Sequence, residues 1–236
     1  MIIFNLKTYS ETTGENLDKS LAEVSSWLES NPSLIQEIGL APQLFELAVT
    51  QRYFSEKYSH SDPGGEEVLA IFSQHLDAIE PGRGTGKIAG ANLLDLGISH
   101  SILNHSERRL GGIEEVVSTI SFYAQSRLRL VVCVEDLEEA EAVARKSPYA
   151  VAYEPPELIG GDVSVTDANK KDVEEFIELV HSSGESKAYI GAGIGSGADI
   201  RAGQDLGAEG FIVASSFAKA KSKAEALDNF FEGYII

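Results

Sequence analysis

The run Tyr153-Glu154-Pro155-Pro156-Glu157-Leu158-Ile159-Gly160-Gly161 decides how the rest of the chain is read. The residues before it, Ala150-Val151-Ala152-Tyr153, are short, apolar and β-prone, and predict a buried strand that ends on a carboxylate. Two prolines, a hydrophobic pair and two glycines follow. That order suits a base at the end of a strand, a stiff hinge, a segment able to cover the base and a flexible turn behind it. The same residues also fit a solvated strand end with the prolines as a plain terminator.

Two further segments have the same design. Ser101-Ile102-Leu103-Asn104-His105-Ser106-Glu107-Arg108-Arg109 is an apolar strand pattern followed at once by a polar cluster, and Ile2-Ile3-Phe4-Asn5-Leu6-Lys7-Thr8-Tyr9 opens the chain that way. Strands are predicted over Ile2–Asn5, Glu37–Ala41, Val68–Gln74, Ser101–Asn104, Leu128–Cys133, Ala150–Tyr153, Ala188–Gly191 and Gly210–Ala214. Helical periodicity fills the intervals, as in Leu17–Leu28, Ile113–Ser126, Leu137–Arg145, Asp167–Val180 (with Thr166 or Asp167 as cap) and Ala224–Phe231. Strands alternating with helices predict a parallel sheet with right-handed crossovers, and eight such units favour a closed barrel over an open sheet. Residues 1–236 then form a single domain, close to the roughly 250 residues such a barrel uses. The ends of parallel barrel strands share one rim, so Asn5, Lys7, His105 and Glu154 are expected to converge there.

Gly191-Ala192-Gly193-Ile194-Gly195-Ser196-Gly197 follows the seventh strand and opens a helix. Small residues let backbone N–H groups reach a phosphate, and a helix start favours an anion; a tight turn that merely tolerates glycine is the alternative. Ala214-Ser215-Ser216 ends the eighth strand, and barrels often hold phosphate between these last two turns. The histidines outside the strand-four cluster have plainer expectations. His60, His100 and His181 are assigned to solvated loops or helix faces, and His75 to a structural place at a strand end. Glu80-Pro81-Gly82-Arg83-Gly84-Thr85-Gly86 is a long Gly-rich loop that lacks the Gly-Lys-Ser/Thr ending of a phosphate loop.

With 43% hydrophobic and 24% charged residues, the composition is that of an ordinary globular protein. A formal charge of −18 argues against nucleic acid as a partner, which needs a basic face. No apolar run approaches the ~20 residues of a membrane span, and the chain starts in a strand pattern with no signal-peptide order. The lone Cys133 has no disulfide partner, and no Cys/His cluster suggests a metal; a reducing cytoplasm and no metal or cofactor are expected.

Taken together, these segments resemble triosephosphate isomerase, in its short archaeal-type form. The family's first-strand Asn-x-Lys matches Asn5-Leu6-Lys7, its His-Ser-Glu-Arg/Lys matches His105 to Arg108, and its base-and-lid segment matches Glu154 to Gly160. Gly191 to Ile194 and Ala214-Ser215 match its last two turns, in the family's order and across nearly the whole chain. The resemblance implies a (β/α)8 TIM barrel that interconverts dihydroxyacetone phosphate and glyceraldehyde 3-phosphate in glycolysis and gluconeogenesis. It assigns Glu154 as base, His105 as electrophile, and Lys7 with Asn5 as stabilisers of an enediolate. A glutamate base, a neutral histidine and a closing lid belong to that family, and the resemblance implies them here. It further implies phosphate contacts from Asn5, Leu6, Lys7, Ile159, Gly160, Gly193, Ala214 and Ser215, and an ion pair between Glu107 and Lys7; a surface pair of Glu107 with Arg108 is the alternative. It implies a homo-oligomer, a dimer ahead of a tetramer, with Thr85 inserted towards Asn5 of a second subunit. Two departures touch the grip and the lid: Ser216 stands where Gly is usual, and Gly161-Asp162 where many relatives have Thr-Gly. Two other classes compete. A Schiff-base aldolase calls for a lysine on strand six, where this chain has Glu154. A dead scaffold calls for loss of Lys7, His105 or Glu154, and all three are present.

Overall fold

The computed structural model describes residues 1–58, 69–155 and 170–235. Eight parallel strands close in chain order: β1 Ile2–Asn5, β2 Ile38–Ala41, β3 Ala70–Ser73, β4 His100–Leu103, β5 Arg129–Val134, β6 Ala150–Tyr153, β7 Lys187–Ile190 and β8 Gly210–Val213. The ring is sealed by β1 against β8, with Ile2 opposite Phe211 and Phe4 opposite Val213. Helices lie between the strands: α1 Glu15–Ser30, α2 Leu47–Tyr58, α3 Gly90–Asp95, α4 Ile113–Phe122, α5 Leu137–Ala144, α6 Lys170–Ser183, α7 Gly197–Asp205, α8 Ser215–Ala218 and α9 Lys223–Glu232.

Strand alternation separates two cores. Ile3, Phe72, Ile102, Val131, Cys133, Tyr189 and Ile212 point into the barrel. Ile2, Phe4, Leu40, Ile71, Val132, Val151, Ile190 and Phe211 point outward and meet the apolar faces of the helices. Two large rings fill the interior because neighbouring strands supply no side chain at the matching place. A Cβ on Gly39 of β2 would lie 2.6 Å from the Phe72 ring of β3, and one on Gly210 of β8 would run into the Tyr189 ring of β7. The glycines complete the interior by leaving room for those rings.

Most predicted boundaries shift by a residue or two, and two of the shifts show their cause in local bonds. β4 stops at Leu103 because Asn104 turns at φ 60°, donates to Cys133 O at 3.0 Å and accepts from Leu110 N at 3.1 Å. Asn is among the few residues that adopt this left-handed geometry readily. α4 ends before the predicted Ser126 because Tyr123 is pinned elsewhere: its hydroxyl donates to Asp77 O at 2.6 Å and accepts from Gly90 N at 2.9 Å. His100 corrects an expectation. It is not solvated but buried at the start of β4, its ring 4.7 Å from Phe72, with Ser99 Oγ 3.1 Å from Nδ1. A strand's first residue can face inward, and a polar ring with partners there is tolerated. His181 is exposed and pairs with Glu209 at 3.0 Å. His60, Val68, Thr166 and Asp167 lie outside the described residues. Among those described, no helix is long and apolar enough to cross a membrane.

Replacing Gly210 with Ala forces a methyl into the Tyr189 ring on a fixed strand. The expected loss is about 1–3 kcal/mol, read as a lower denaturant midpoint with an unchanged slope. A midpoint equal to that of the parent would show that the barrel interior can repack around this position.

Candidate active site

The ends of β1, β4 and β6 bring Lys7, His105 and Glu154 to one cavity of about 460 Å³, whose other wall is the turns after β7 and β8. Glu154 follows β6 directly, and its amide still donates to Val134 O at 3.0 Å, so the ladder fixes its backbone. Its side chain is 5% exposed, and Oε2 has no hydrogen-bond partner among the described residues. Two neighbours explain why the carboxylate fits. A Cβ at residue 191 would fall 2.5 Å from Glu154 Oε1, so glycine is required there by the Glu154 carboxylate itself. Cys133 also borders it; burial first, then the Glu154 charge, pushes its thiol pKa well up and keeps the proton on sulfur.

His105 Nε2 stands 3.7 Å from Glu154 Oε2, too far for a hydrogen bond and wide enough for a reacting group to lie against both. Its other nitrogen settles the tautomer. Nδ1 accepts the Glu107 amide at 3.1 Å, at the start of the one-turn 3-10 helix Ser106–Arg108. An acceptor Nδ1 carries no proton, so the N–H is on Nε2 and faces the cavity. The pair can therefore take a proton from carbon and donate a hydrogen bond to an adjacent oxygen.

Lys7 is held under strain. Its φ is 43°, a region that disfavours side chains, at a cost of about 1–3 kcal/mol. Asn5 Oδ1 accepts the Lys7 amide at 3.1 Å. Gln74 Nε2 donates to Lys7 O at 3.2 Å, to Ala41 O at 2.9 Å and to Asn5 Oδ1 at 3.3 Å. The ammonium pairs with Glu107 at 2.8 Å, which decides for Lys7 over Arg108 as that carboxylate's partner. Asn5 is buried beneath the bend and lines a neighbouring cavity of about 360 Å³ with Gln74 and His75. Leu6 is 2% exposed; its side chain belongs to the core and lines neither cavity.

The two glycine-rich turns divide their work. Ala192 and Gly193 both have φ 67°, which bends the turn towards the cavity. The start of α7 is capped internally: Asp199 Oδ2 accepts the amides of Gly195 at 3.0 Å and Ser196 at 2.9 Å. Its anion site is thus filled by its own carboxylate. Gly197 serves packing, since a Cβ there would meet the backbone of Asn229 and Gly233. The open amides are those at the start of α8, where Ser215 and Ser216 have no intrahelical acceptor. Ser216 donates its hydroxyl to Ile194 O at 3.0 Å and so ties the two turns together.

Of the residues expected at the site, Ile159 and Gly160, with the lid from Pro156 onward, lie outside the described residues; Pro155 is buried. Thr85 is exposed on its loop, away from the large cavity. Gln74, Asn104 and Arg109 were not anticipated in supporting roles. Arg109 bonds Glu139 and lies 3.5 Å from Glu135, bracing the loop that carries His105. An Asn directly before the histidine was a readable signal for a left-handed turn; Gln74 gave none. Among the described residues, no group of His, Cys, Asp and Glu could hold a metal ion.

Comparison with known proteins identifies the family. The family model for triosephosphate isomerase matches residues 1–230. The chain is 38% identical over 231 residues to the triosephosphate isomerase of Methanobrevibacter smithii, covering 96% of this chain and 95% of that protein. It is 36% identical over 233 residues to that of Methanopyrus kandleri, covering 98% and 96%, and 35% identical over 230 residues to that of Methanocaldococcus jannaschii, covering 96% of each. Matched over nearly its whole length, the chain belongs to the triosephosphate isomerase family.

Proposed function

We propose that this protein interconverts dihydroxyacetone phosphate and D-glyceraldehyde 3-phosphate through an enediolate, in glycolysis and gluconeogenesis. The observation that carries the reading is the unbonded Glu154 oxygen 3.7 Å from His105 Nε2, with Nδ1 engaged by an amide. Glu154 removes the proton from the carbon beside the carbonyl and returns it to the neighbouring carbon. The His105 Nε2–H donates to the oxygens as charge develops on them, and the Lys7 ammonium offsets that charge. Asn5 shapes the bend that presents Lys7. Gly193, Ala214 and Ser215, with Leu6 through its backbone and Ile159-Gly160 in the lid, hold the phosphate. An assay coupled to glyceraldehyde 3-phosphate tests the reaction, and uptake of solvent deuterium at carbon tests the proton route. Glu154→Asp withdraws the carboxylate by about one methylene, and turnover should fall about 10²-fold. Turnover within about twofold of the parent would remove Glu154 from this role.

Gly191 gives a second test of the same assignment. A methyl there collides with the Glu154 carboxylate and not with the backbone. Gly191→Ala should lower kcat by about 10²-fold, since small misplacements of a reacting group have effects of that size. Unchanged kcat in a folded variant would mean that the carboxylate does not need its present position.

We also infer a cytoplasmic, single-domain protein acting as a homo-oligomer, a dimer in the first instance. Residues 80–87 are exposed throughout, a finger stapled at its base where Asp77 N donates to Ile88 O and Ile88 N to Asp77 Oδ2, both at 2.8 Å. Leu44, itself exposed, lines the smaller cavity, where neither ring nitrogen of buried His75 has a hydrogen-bond partner among the described residues. A finger from a second copy, with Thr85 at its tip, suits that cavity. Trimming Pro81–Gly86 should give monomers of low activity in sedimentation and assay at matched concentration. A fully active monomer would contradict the inference.

A further inference from the structure

Lys219 lines the large cavity at the end of α8, yet neither the barrel nor the proton chemistry calls for it. Its amide donates to Ser215 O at 3.0 Å, which puts its backbone one turn beyond the open amides of Ser215 and Ser216. The ammonium then returns to the same cavity and rests 4.7 Å from the centre of the Tyr9 ring. Tyr9 lines the cavity too, two residues after Lys7, and its backbone is fixed because its carbonyl accepts the Thr12 amide and hydroxyl, both at 3.1 Å. Ring and ammonium thus join the rim of β1 to the rim of β8 on the phosphate side.

The manner of holding matters as much as the place. The cavity has two lysines in its lining, Lys7 and Lys219. Lys7 is paired with Glu107 at 2.8 Å, so much of its charge is already balanced. Lys219 is in no ion pair with a described residue; an aromatic face holds it instead. A ring quadrupole attracts a cation and restricts its position without cancelling its charge. Glu11 feels the Lys219 charge but is in no ion pair with it, and on a chain of net charge −18, which repels a dianion at long range, a cation at the mouth without a paired carboxylate has a strong local effect.

We propose that Lys219, positioned by the ring of Tyr9, is a binding residue that recognises the phosphate dianion of the substrate and sets the preference for phosphorylated over uncharged ligands. The proposal rests on reading this cavity as the triose-phosphate site. Its test is inorganic phosphate binding, measured by calorimetry without turnover, alongside steady-state kinetics on glyceraldehyde 3-phosphate at several salt concentrations. Lys219→Met should weaken phosphate binding and raise KM by about five- to tenfold, a size suited to a partly exposed charge, while kcat stays within about twofold. Its kcat/KM should also fall less steeply with salt. Lys219→Arg should recover most of the affinity, and Tyr9→Leu should lose part of it with the lysine intact. Thermal midpoints of all three should match the parent. If Lys219→Met binds phosphate as the parent does, with an unchanged salt slope, the proposal is overturned. If the parent binds phosphate through Lys219 but does not isomerise glyceraldehyde 3-phosphate, the binding role stands and the assigned reaction fails.

Discussion

Glu154 keeps a carboxylate oxygen without a hydrogen bond in a pocket where its side chain is 5% exposed. A buried charge without partners is expensive, and most such groups either find donors or lose their charge. The surroundings are arranged around that constraint. The strand ladder anchors the backbone, the missing side chain of Gly191 makes room, and the Cys133 thiol stays protonated and so adds no second negative charge. The imidazole opposite is neutral because its Nδ1 accepts an amide. A charged imidazolium would form an ion pair with the carboxylate and satisfy it before any substrate arrived. The site therefore stays reactive because its obvious internal partner has been occupied from behind.

Lys7 illustrates the same logic by strain. A left-handed non-glycine residue at a strand end persists only when its surroundings hold it there. Here the side chains of Asn5 and Gln74 fill that part, bonding the amide and carbonyl of the bend itself. Glu107 links this lysine to the histidine loop twice, through its carboxylate to Lys7 and through its amide to His105. The cation and the hydrogen-bond donor are thus positioned by one residue, and a shift in either loop moves both.

The barrel was legible in the sequence because its signals are periodic: apolar strands of four to six residues recur between amphipathic helices. Asn5, Lys7, His105 and Glu154 were legible because polar residues stand directly after those strands. What escaped did so for physical reasons. α8 has four residues, too few for helical periodicity to register. His100 looked like a loop residue because a histidine beside a strand is normally wet, and its partner Arg129 is distant in sequence. Gln74 acts through a side-chain amide that reaches Lys7 O, Ala41 O and Asn5 Oδ1, all distant in sequence, and no local pattern marks such bonds. The run from Gly191 to Gly197 read as one phosphate turn, but its glycines serve different masters. Gly191 makes room for the Glu154 carboxylate, Gly193 permits the bend, and Gly197 lets α7 approach α9.

That division bears on how an anion is held by so acidic a chain. The start of α7, which the sequence offered as one of two phosphate turns, is closed by Asp199. Capping by Asp199 stiffens that turn, and the Ser216 hydroxyl on Ile194 O joins it to α8. A glycine at position 216 would have no hydroxyl to make this bond, and the serine makes it at no loss of an N–H group. The open amides at the start of α8 therefore sit in a frame that is already set, and preorganised donors need not be ordered at the moment of binding.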